Sequence, residues 1–229
     1  MESTLNEKKN HQAIIPFNIN IFFKSEKGSK DTYTILNQGI LPTDFVAEKK
    51  WEGILNKVVE NWKKIHLCVT KVSKNTRLCW FQYRIIHYIL GTNALLFKMK
   101  LVNCNLCTFC KEEPETIEHL LWGCHIVADI WHNLNSWIFD KVLIEIPLNF
   151  KIVIFGLYEN YKLNFIKNKV ILLTKYFIYR CKMQDIKPNI KGLQNYIKEN
   201  LILEKHISSK YLSVEEHNLY WNPWAKVIN

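Results

Sequence analysis

The chain has 229 residues, of which 48% are hydrophobic and 13% aromatic, whereas it contains only seven glycines and six prolines. This balance is typical of a folded protein with a substantial core, and it argues against extended disorder and against a glycine-rich nucleotide-binding fold. The net charge of +10 favours a polyanionic partner.

Residues 1–30 are predicted to form a polar N-terminal segment with an extended stretch at residues 14–23. The first ten residues lack the apolar core of a signal peptide. The chain has no apolar run of the roughly 18 residues that a membrane-spanning helix needs, so we expect no membrane partner. These features predict an intracellular protein, without a preference between nucleus and cytoplasm.

Residues 31–229 are predicted to form one mostly α-helical domain made of short helices. Apolar residues recur at spacings of three and four along much of this region, which is the period of an amphipathic helix. The predicted helices, in chain order, cover residues 44–65, 75–90, 94–100, 127–139, 164–183 and 190–203, with a further short helix that begins at Pro114. The short helix and its preceding loop form a predicted zinc knuckle at residues 104–124.

The knuckle carries the strongest chemical signal, which is the pattern Cys107-x2-Cys110-x8-His119-x4-Cys124. Zinc takes four thiolate or imidazole ligands in a tetrahedron, and a C-x2-C pair suits a tight turn that directs both sulfurs inward. We therefore predict one structural Zn²⁺ held by these four residues. Because four protein ligands leave no open position for water, the pattern does not indicate a catalytic metal.

Two alternatives to this ligand set stay open. Buried cysteines are often inert thiols that only fill the core, which is the interpretation we give to Cys68, Cys79 and Cys181 in their apolar helical stretches. Cys104 also forms a C-x2-C pair with Cys107, so Cys104 can replace Cys107 or Cys110 as a ligand.

Several stretches around the knuckle resemble one known family. They are Trp80-Phe-Gln-Tyr-Arg-Ile-Ile-His, Gly91-Thr-Asn-Ala-Leu-Leu-Phe-Lys, Cys107-Thr-Phe-Cys and Glu115-Thr-Ile-Glu-His-Leu-Leu, followed by Cys124 and Trp131. Together they resemble the zinc-binding C-terminal region of reverse transcriptases from non-LTR (LINE-type) retrotransposons. The resemblance implies a helical region that follows a polymerase domain, uses the four knuckle residues as zinc ligands, and helps to bind template RNA and target DNA.

The resemblance does not extend to polymerase chemistry. Polymerases need carboxylates that hold two metal ions, usually as an Asp-Asp pair, and none of the five aspartates is adjacent to another. The chain is therefore interpreted as a non-catalytic, zinc-stabilised nucleic-acid-binding module, with the polymerase domain of a longer element protein as a further partner. The alternatives are a structural or protein-docking zinc module and a decayed remnant of such an element.

Charge segregation predicts where RNA or DNA binds. Residues 51–100 and 151–200 each carry a net charge of +7, whereas residues 101–150 carry −5, so phosphates should avoid the knuckle. Cations and aromatic residues share helix faces in both basic segments, which suits phosphate contacts and base stacking. The predicted nucleic-acid-binding residues are Arg77, Trp80, Arg84 and His87 on one helix, and Lys169, Lys175, Arg180 and Lys182, beside Tyr176 and Tyr179, on another. The alternative is that these are solvated faces and that Trp80 packs into a neighbouring helix.

Overall fold

The computed structural model of the chain describes residues 46–228, and about two thirds of this range is helical. The described helices are α1 Val46–Leu55, α2 Trp62–Val72, α3 Thr76–Ile86, α4 Asn93–Lys98, a π-helix His119–Gly123, α5 His125–Val142, α6 Phe150–Phe155, α7 Phe165–Met183, α8 Ile190–Ser208, α9 Val214–Trp221, a 3₁₀ turn Asn222–Trp224 and α10 Ala225–Ile228. The predicted mostly α fold is confirmed. The predicted N-terminal extended segment lies outside the described residues.

The first predicted helix, at residues 44–65, is wrong in its extent because two helices occupy this range. α1 ends before Asn56, whose backbone is left-handed with a φ of 50°, and α2 begins at Trp62. The Glu52 carboxylate holds the turn by accepting hydrogen bonds from the Val59 N–H at 3.1 Å and the Trp62 indole N–H at 3.2 Å. The apolar spacing does not reveal the break, because the same period continues across the turn.

α7 agrees with its prediction, whereas α8 ends later than predicted. α7 coincides with the helix predicted at residues 164–183, and Asn164 occupies its N-cap position. α8 extends beyond the predicted end at residue 203 to Ser208. The elements that follow Ser208 were not predicted. No helix within residues 46–228 is both long and apolar enough to cross a membrane.

The centre of the described fold is α7, which packs against α2 and α3 on one side and against α8 and α9 on the other. Thirteen of its 19 residues are buried, so α7 lacks the solvated face of an ordinary surface helix. Trp51 of α1 is also fully buried, and its indole N–H donates to the Ile86 carbonyl oxygen at 2.9 Å, which ties α1 to the end of α3.

Three lysines that were predicted to face nucleic acid lie inside the core instead. Lys169, Lys175 and Lys182 are all buried on α7. Lys175 donates to the Gln82 Oε1 at 2.5 Å, and Lys182 donates to the Gly91 carbonyl oxygen at 3.1 Å. The prediction is therefore wrong for these three residues. The reason is that other parts of the chain surround α7, and their side chains and carbonyl oxygens supply acceptors for the ammonium groups.

Lys169 is paired with a carboxylate from another helix. Its ammonium group forms an ion pair with Glu204 of α8 and donates to the Ser73 hydroxyl at 2.9 Å. Burial lowers the pKa of Lys169 to about 7, since little water reaches the ammonium group. Glu204 and Ser73 supply the acceptors that replace this water.

We predict that Glu204→Gln lowers the free energy of unfolding by about 3–5 kcal/mol at pH 6, because a protonated Lys169 would then lack its counter-charge in the core. Urea denaturation measures the change. The matched control is Glu199→Gln, an exposed position on the same helix, where we expect a change within about 0.5 kcal/mol. Equal stability of the two variants would contradict a structural role for the ion pair.

Candidate metal centre and basic face

Four side chains converge at one side of the loop that follows α4. The ligand atoms of Cys107, Cys110, His119 and Cys124 all lie within 4.8 Å of one another, and we call these residues the Cys3His cluster. Cys107 and Cys124 are fully buried, and His119 is nearly so. The sequence prediction of a Cys3His cluster that could bind zinc is therefore confirmed.

The separations in the cluster fit a tetrahedral metal site. Zinc–sulfur bonds of about 2.3 Å and zinc–nitrogen bonds of about 2.0–2.1 Å imply tetrahedral edges of about 3.8 Å between two sulfurs and about 3.6 Å between sulfur and nitrogen. The Cys107 and Cys124 Sγ atoms are 3.9 Å apart, and the Cys110 Sγ lies 3.3 Å from the His119 Nε2. Three thiol groups and one imidazole are also the donor set that zinc prefers in structural sites.

The π-helix explains why His119 and Cys124 can meet with four residues between them. A π-helix closes a hydrogen bond between residues i and i+5, and here the Cys124 N–H donates to the His119 carbonyl oxygen at 2.8 Å. Residues five apart are therefore stacked one turn above the other, whereas an α-helix would rotate them onto different faces. The x4 spacing of the pair was a signal for this turn that helix-period reasoning missed.

The short helix predicted to begin at Pro114 is wrong at its start, although it ends at Gly123 as expected. Pro114 instead forms an antiparallel bridge with Leu106. The Cys107 N–H donates to the Glu113 carbonyl oxygen at 2.7 Å, which continues this short ladder. The ladder closes a tight loop that holds Cys107 and Cys110 on the same side.

Glu113 orients the imidazole of the cluster. One of its carboxylate oxygens lies 3.1 Å from the His119 Nδ1, on the side of the ring opposite to the Nε2 that faces Cys110. Histidines that bind metals usually donate their second ring N–H to such a carboxylate, which fixes the tautomer. Sequence reasoning did not identify this role, because the loop geometry that brings Glu113 to His119 has no periodic signature.

The thiols of the cluster influence each other's protonation. The hydrogen bond between Cys107 and Cys124 raises the pKa of Cys107 and lowers the pKa of Cys124. Cys124 therefore loses its proton at a lower pH than Cys107 does. Since zinc binds the thiolate form, metal binding at this cluster would release protons and depend on pH.

Cys104 lies outside the cluster. Its side chain is exposed, and its sulfur accepts a long hydrogen bond of 3.5 Å from the Leu106 N–H. The geometry thus favours Cys107 and Cys110 over the alternative that includes Cys104. Cys68 and Cys181 are buried in the core as expected, whereas Cys79 is only partly buried.

Glu115 is one of the acidic residues behind the net charge of −5 in residues 101–150, but it does not add to an acidic surface at the knuckle. It is fully buried, and its carboxylate accepts hydrogen bonds from the Asn93 N–H at 2.9 Å and the Thr108 N–H at 2.7 Å. Lys182 of α7 lies 3.6 Å away and compensates the charge. Glu112 and Glu113 remain exposed beside the cluster.

The four residues predicted on α3 do not form one continuous exposed stripe. Arg77 and Trp80 are exposed, whereas Arg84 is half-buried with its guanidinium carbon 5.6 Å from the ring centre of Tyr179. His87 is also half-buried. The alternative in which Trp80 packs into a neighbouring helix is wrong, because 59% of its side chain is exposed and its ring stacks on Tyr83 of the same helix.

Arg180 is the one member of the predicted α7 set that lies at the surface. Its guanidinium carbon lies 5.5 Å from the ring centre of Tyr196 on α8. Without its three buried neighbours, Arg180 does not form a basic stripe along α7.

Comparison with known families agrees with the cluster. Residues 45–131 match the model of a family described as zinc-binding in reverse transcriptase. The matched range contains α1 to α4 and the whole Cys3His cluster, so the resemblance inferred from the sequence is confirmed for these residues. This family is an accessory zinc-binding region and not a catalytic domain. No significant match to the chain is found among curated proteins.

We predict that the purified chain holds zinc and that Cys107→Ser releases it. Structural zinc sites have apparent binding free energies of about 10–16 kcal/mol at neutral pH, so loss of one ligand should unfold the knuckle and lower the melting temperature. Metal analysis and thermal unfolding on the same sample measure both effects. Cys104→Ser is the matched control and should change neither; a zinc-free wild-type chain would contradict the assignment.

We also predict that Glu113→Gln weakens zinc binding about 10- to 100-fold, because the carboxylate no longer orients the His119 ring. Competition with a zinc chelator measures the affinity. Glu112→Gln provides the control, since Glu112 belongs to the same loop but faces His125 at 3.7 Å. If both variants bind zinc equally well, Glu113 has no role in the metal site.

Proposed function

We propose that the chain is a non-catalytic nucleic-acid-binding module stabilised by one structural zinc ion. In this proposal it forms the C-terminal part of a non-LTR retrotransposon reverse transcriptase and contacts element RNA or target DNA. The match of residues 45–131 to the reverse-transcriptase zinc-binding family supports this context. The proposed ligands are Cys107, Cys110, His119 and Cys124.

The observation that carries the proposal is the exposed positive charge of α2, α3 and their flanking loops. Residues 57–100 contain nine lysines and arginines and one acidic residue, Glu60. All of these cations except Arg84 have exposed side chains, in contrast to the three buried lysines of α7. Clustered exposed cations attract the phosphate backbone through counterion release, which supplies most of the affinity in non-specific binding.

The zinc knuckle is proposed to support this surface without binding phosphate itself. Three thiolates and a neutral imidazole around Zn²⁺ carry a net charge of −1, and the exposed Glu112 and Glu113 add to it. A phosphate group near the cluster would therefore be repelled. With all four positions taken by protein ligands, the metal has a structural role and supplies no activated water.

A second candidate function is docking to a protein, such as the parent polymerase domain. It is favoured by a groove of about 800 Å³ on α5, lined by Trp122, Trp131, His132 and Phe139 among others. Apolar grooves of this size commonly bind a partner or ligand. Salt dependence distinguishes the two functions, because only phosphate binding releases condensed counterions in proportion to the charges neutralised.

We predict that RNA affinity falls steeply with salt and that Arg77→Ala reduces the slope of log K against log salt by about 0.7–0.9, since one phosphate contact is lost. Titrations of a fluorescent RNA at several salt concentrations measure the slope. Arg77 is a cleaner position than Arg84, which packs on Tyr179 and contributes to folding.

The control for this titration is Lys141→Ala, which removes an exposed cation from the last turn of α5. Its slope should equal that of the wild-type chain. An RNA affinity that is independent of salt in the wild-type chain would contradict the proposed function and favour the docking alternative.

A further inference from the structure

An open groove lies between α2 and α3, the two helices within the cation-rich residues 57–100. Its volume is about 590 Å³, and its walls include His66 and Val69 from α2 and Arg77, Trp80 and Tyr83 from α3. The lining is mostly apolar, and the volume is within the range of small-molecule sites. We call this feature the aromatic groove.

A ladder of rings runs along the aromatic groove. Trp80 and Tyr83 are stacked with centroids 5.0 Å apart and planes within 5° of parallel. The ring centre of Tyr83 lies 4.0 Å from that of His87, which lies 5.4 Å from the ring centre of His66 on α2. The near-parallel arrangement of Trp80 and Tyr83 is similar to that of neighbouring nucleobases in a stack.

The outer end of this ladder is unusually open to solvent. Trp80 is 59% exposed and Tyr83 is 41% exposed, although both are large aromatic residues that fold stability would favour burying. A contiguous exposed aromatic surface at the edge of an apolar groove marks a binding site more often than a scattered exposed residue does. The groove therefore offers a flat apolar platform to a planar ligand.

The charge beside the platform favours an anionic ligand that carries planar groups. Arg77 lines the groove on α3 and is exposed, so the wall that carries Trp80 also carries a cation. Glu48 lies 3.4 Å from His66 at the other end of the ladder, away from Trp80. A phosphate beside Arg77 and a base on the rings would satisfy both features at once.

We propose that the aromatic groove binds an unpaired stretch of single-stranded nucleic acid, with one or two bases stacked on the Trp80–Tyr83 platform. The inference rests on the proposed function and makes it more specific. In a duplex the bases are already stacked and paired, so they cannot reach the platform without being extruded. The groove thus favours single-stranded over double-stranded nucleic acid.

The test compares three probes of one sequence with the full chain: a 12-nucleotide RNA without secondary structure, the same strand as DNA, and the DNA duplex. Fluorescence anisotropy at two salt concentrations gives affinity and salt slope. We expect Trp80→Ala to weaken binding of the single strands about 5- to 150-fold, since each base–aromatic stack contributes that much. Duplex affinity should change less than twofold, and the salt slope should stay the same because no cation is removed.

Two further variants control for folding and for position. Trp80→Phe keeps a stacking ring and should restore most of the single-strand affinity. Phe139→Ala removes an aromatic residue of similar exposure, 48%, from the groove on α5 and should have no effect. Zinc content and circular dichroism of each variant show that the fold is kept. If Trp80→Ala lowers the affinity for RNA and for single-stranded DNA equally, the platform recognises the bases and not the 2′-hydroxyl.

The outcomes separate this inference from the proposed function. If Trp80→Ala weakens single-strand and duplex binding equally, or weakens neither, the aromatic groove is not a stacking site. The proposed function still stands in that case, provided that binding by the wild-type chain depends on salt. A wild-type chain that binds none of the three probes overturns both.

Discussion

The buried carboxylate of Glu115 fixes the loop of the candidate metal centre to the rest of the fold. It accepts two backbone N–H groups, one from Asn93 at the start of α4 and one from Thr108 in the loop, and Lys182 of α7 balances its charge. Loss of any partner would leave part of a buried charge uncompensated, at a cost of several kcal/mol. Thr108 follows Cys107 directly, so the position of this thiol is set by an interaction that needs no metal.

The buried lysines of α7 have a related effect on the packing of helices. A helix that is apolar on all sides can rotate or slide among its neighbours with little change in hydrophobic contact. Lys169, Lys175 and Lys182 remove this freedom, because each ammonium group finds its acceptors in one register only, such as Glu204 on α8 for Lys169 and Glu115 for Lys182. Buried polar groups have been found to specify register in this way in other helical assemblies.

The sequence was sufficient to predict features that depend on neighbouring residues. α7 is one example, since its apolar run and the N-cap Asn164 are local signals; the Cys3His spacing is another. The sequence was insufficient where the hydrogen-bond acceptor of a side chain lies far away along the chain. The cationic face predicted for α7 failed because the acceptors of Lys169 and Lys175 come from residues 35 and 93 positions away. A lysine pattern alone cannot distinguish a solvated ammonium group from a buried one.

Tyr88 connects the segment that follows α3 to the helix that carries the cluster residue His119. Tyr88 lies two residues beyond the end of α3, with a left-handed φ of 57°, and its hydroxyl donates to the Glu118 carboxylate at 2.6 Å, next to the cluster residue His119. Burial and this hydrogen bond raise the pKa of Tyr88, so the hydroxyl keeps its proton at neutral pH. The end of α3 that carries His87 is thereby held against the helix that carries His119. A metal held at the cluster would therefore influence the aromatic groove through the placement of α3, since none of the four cluster residues lines the groove.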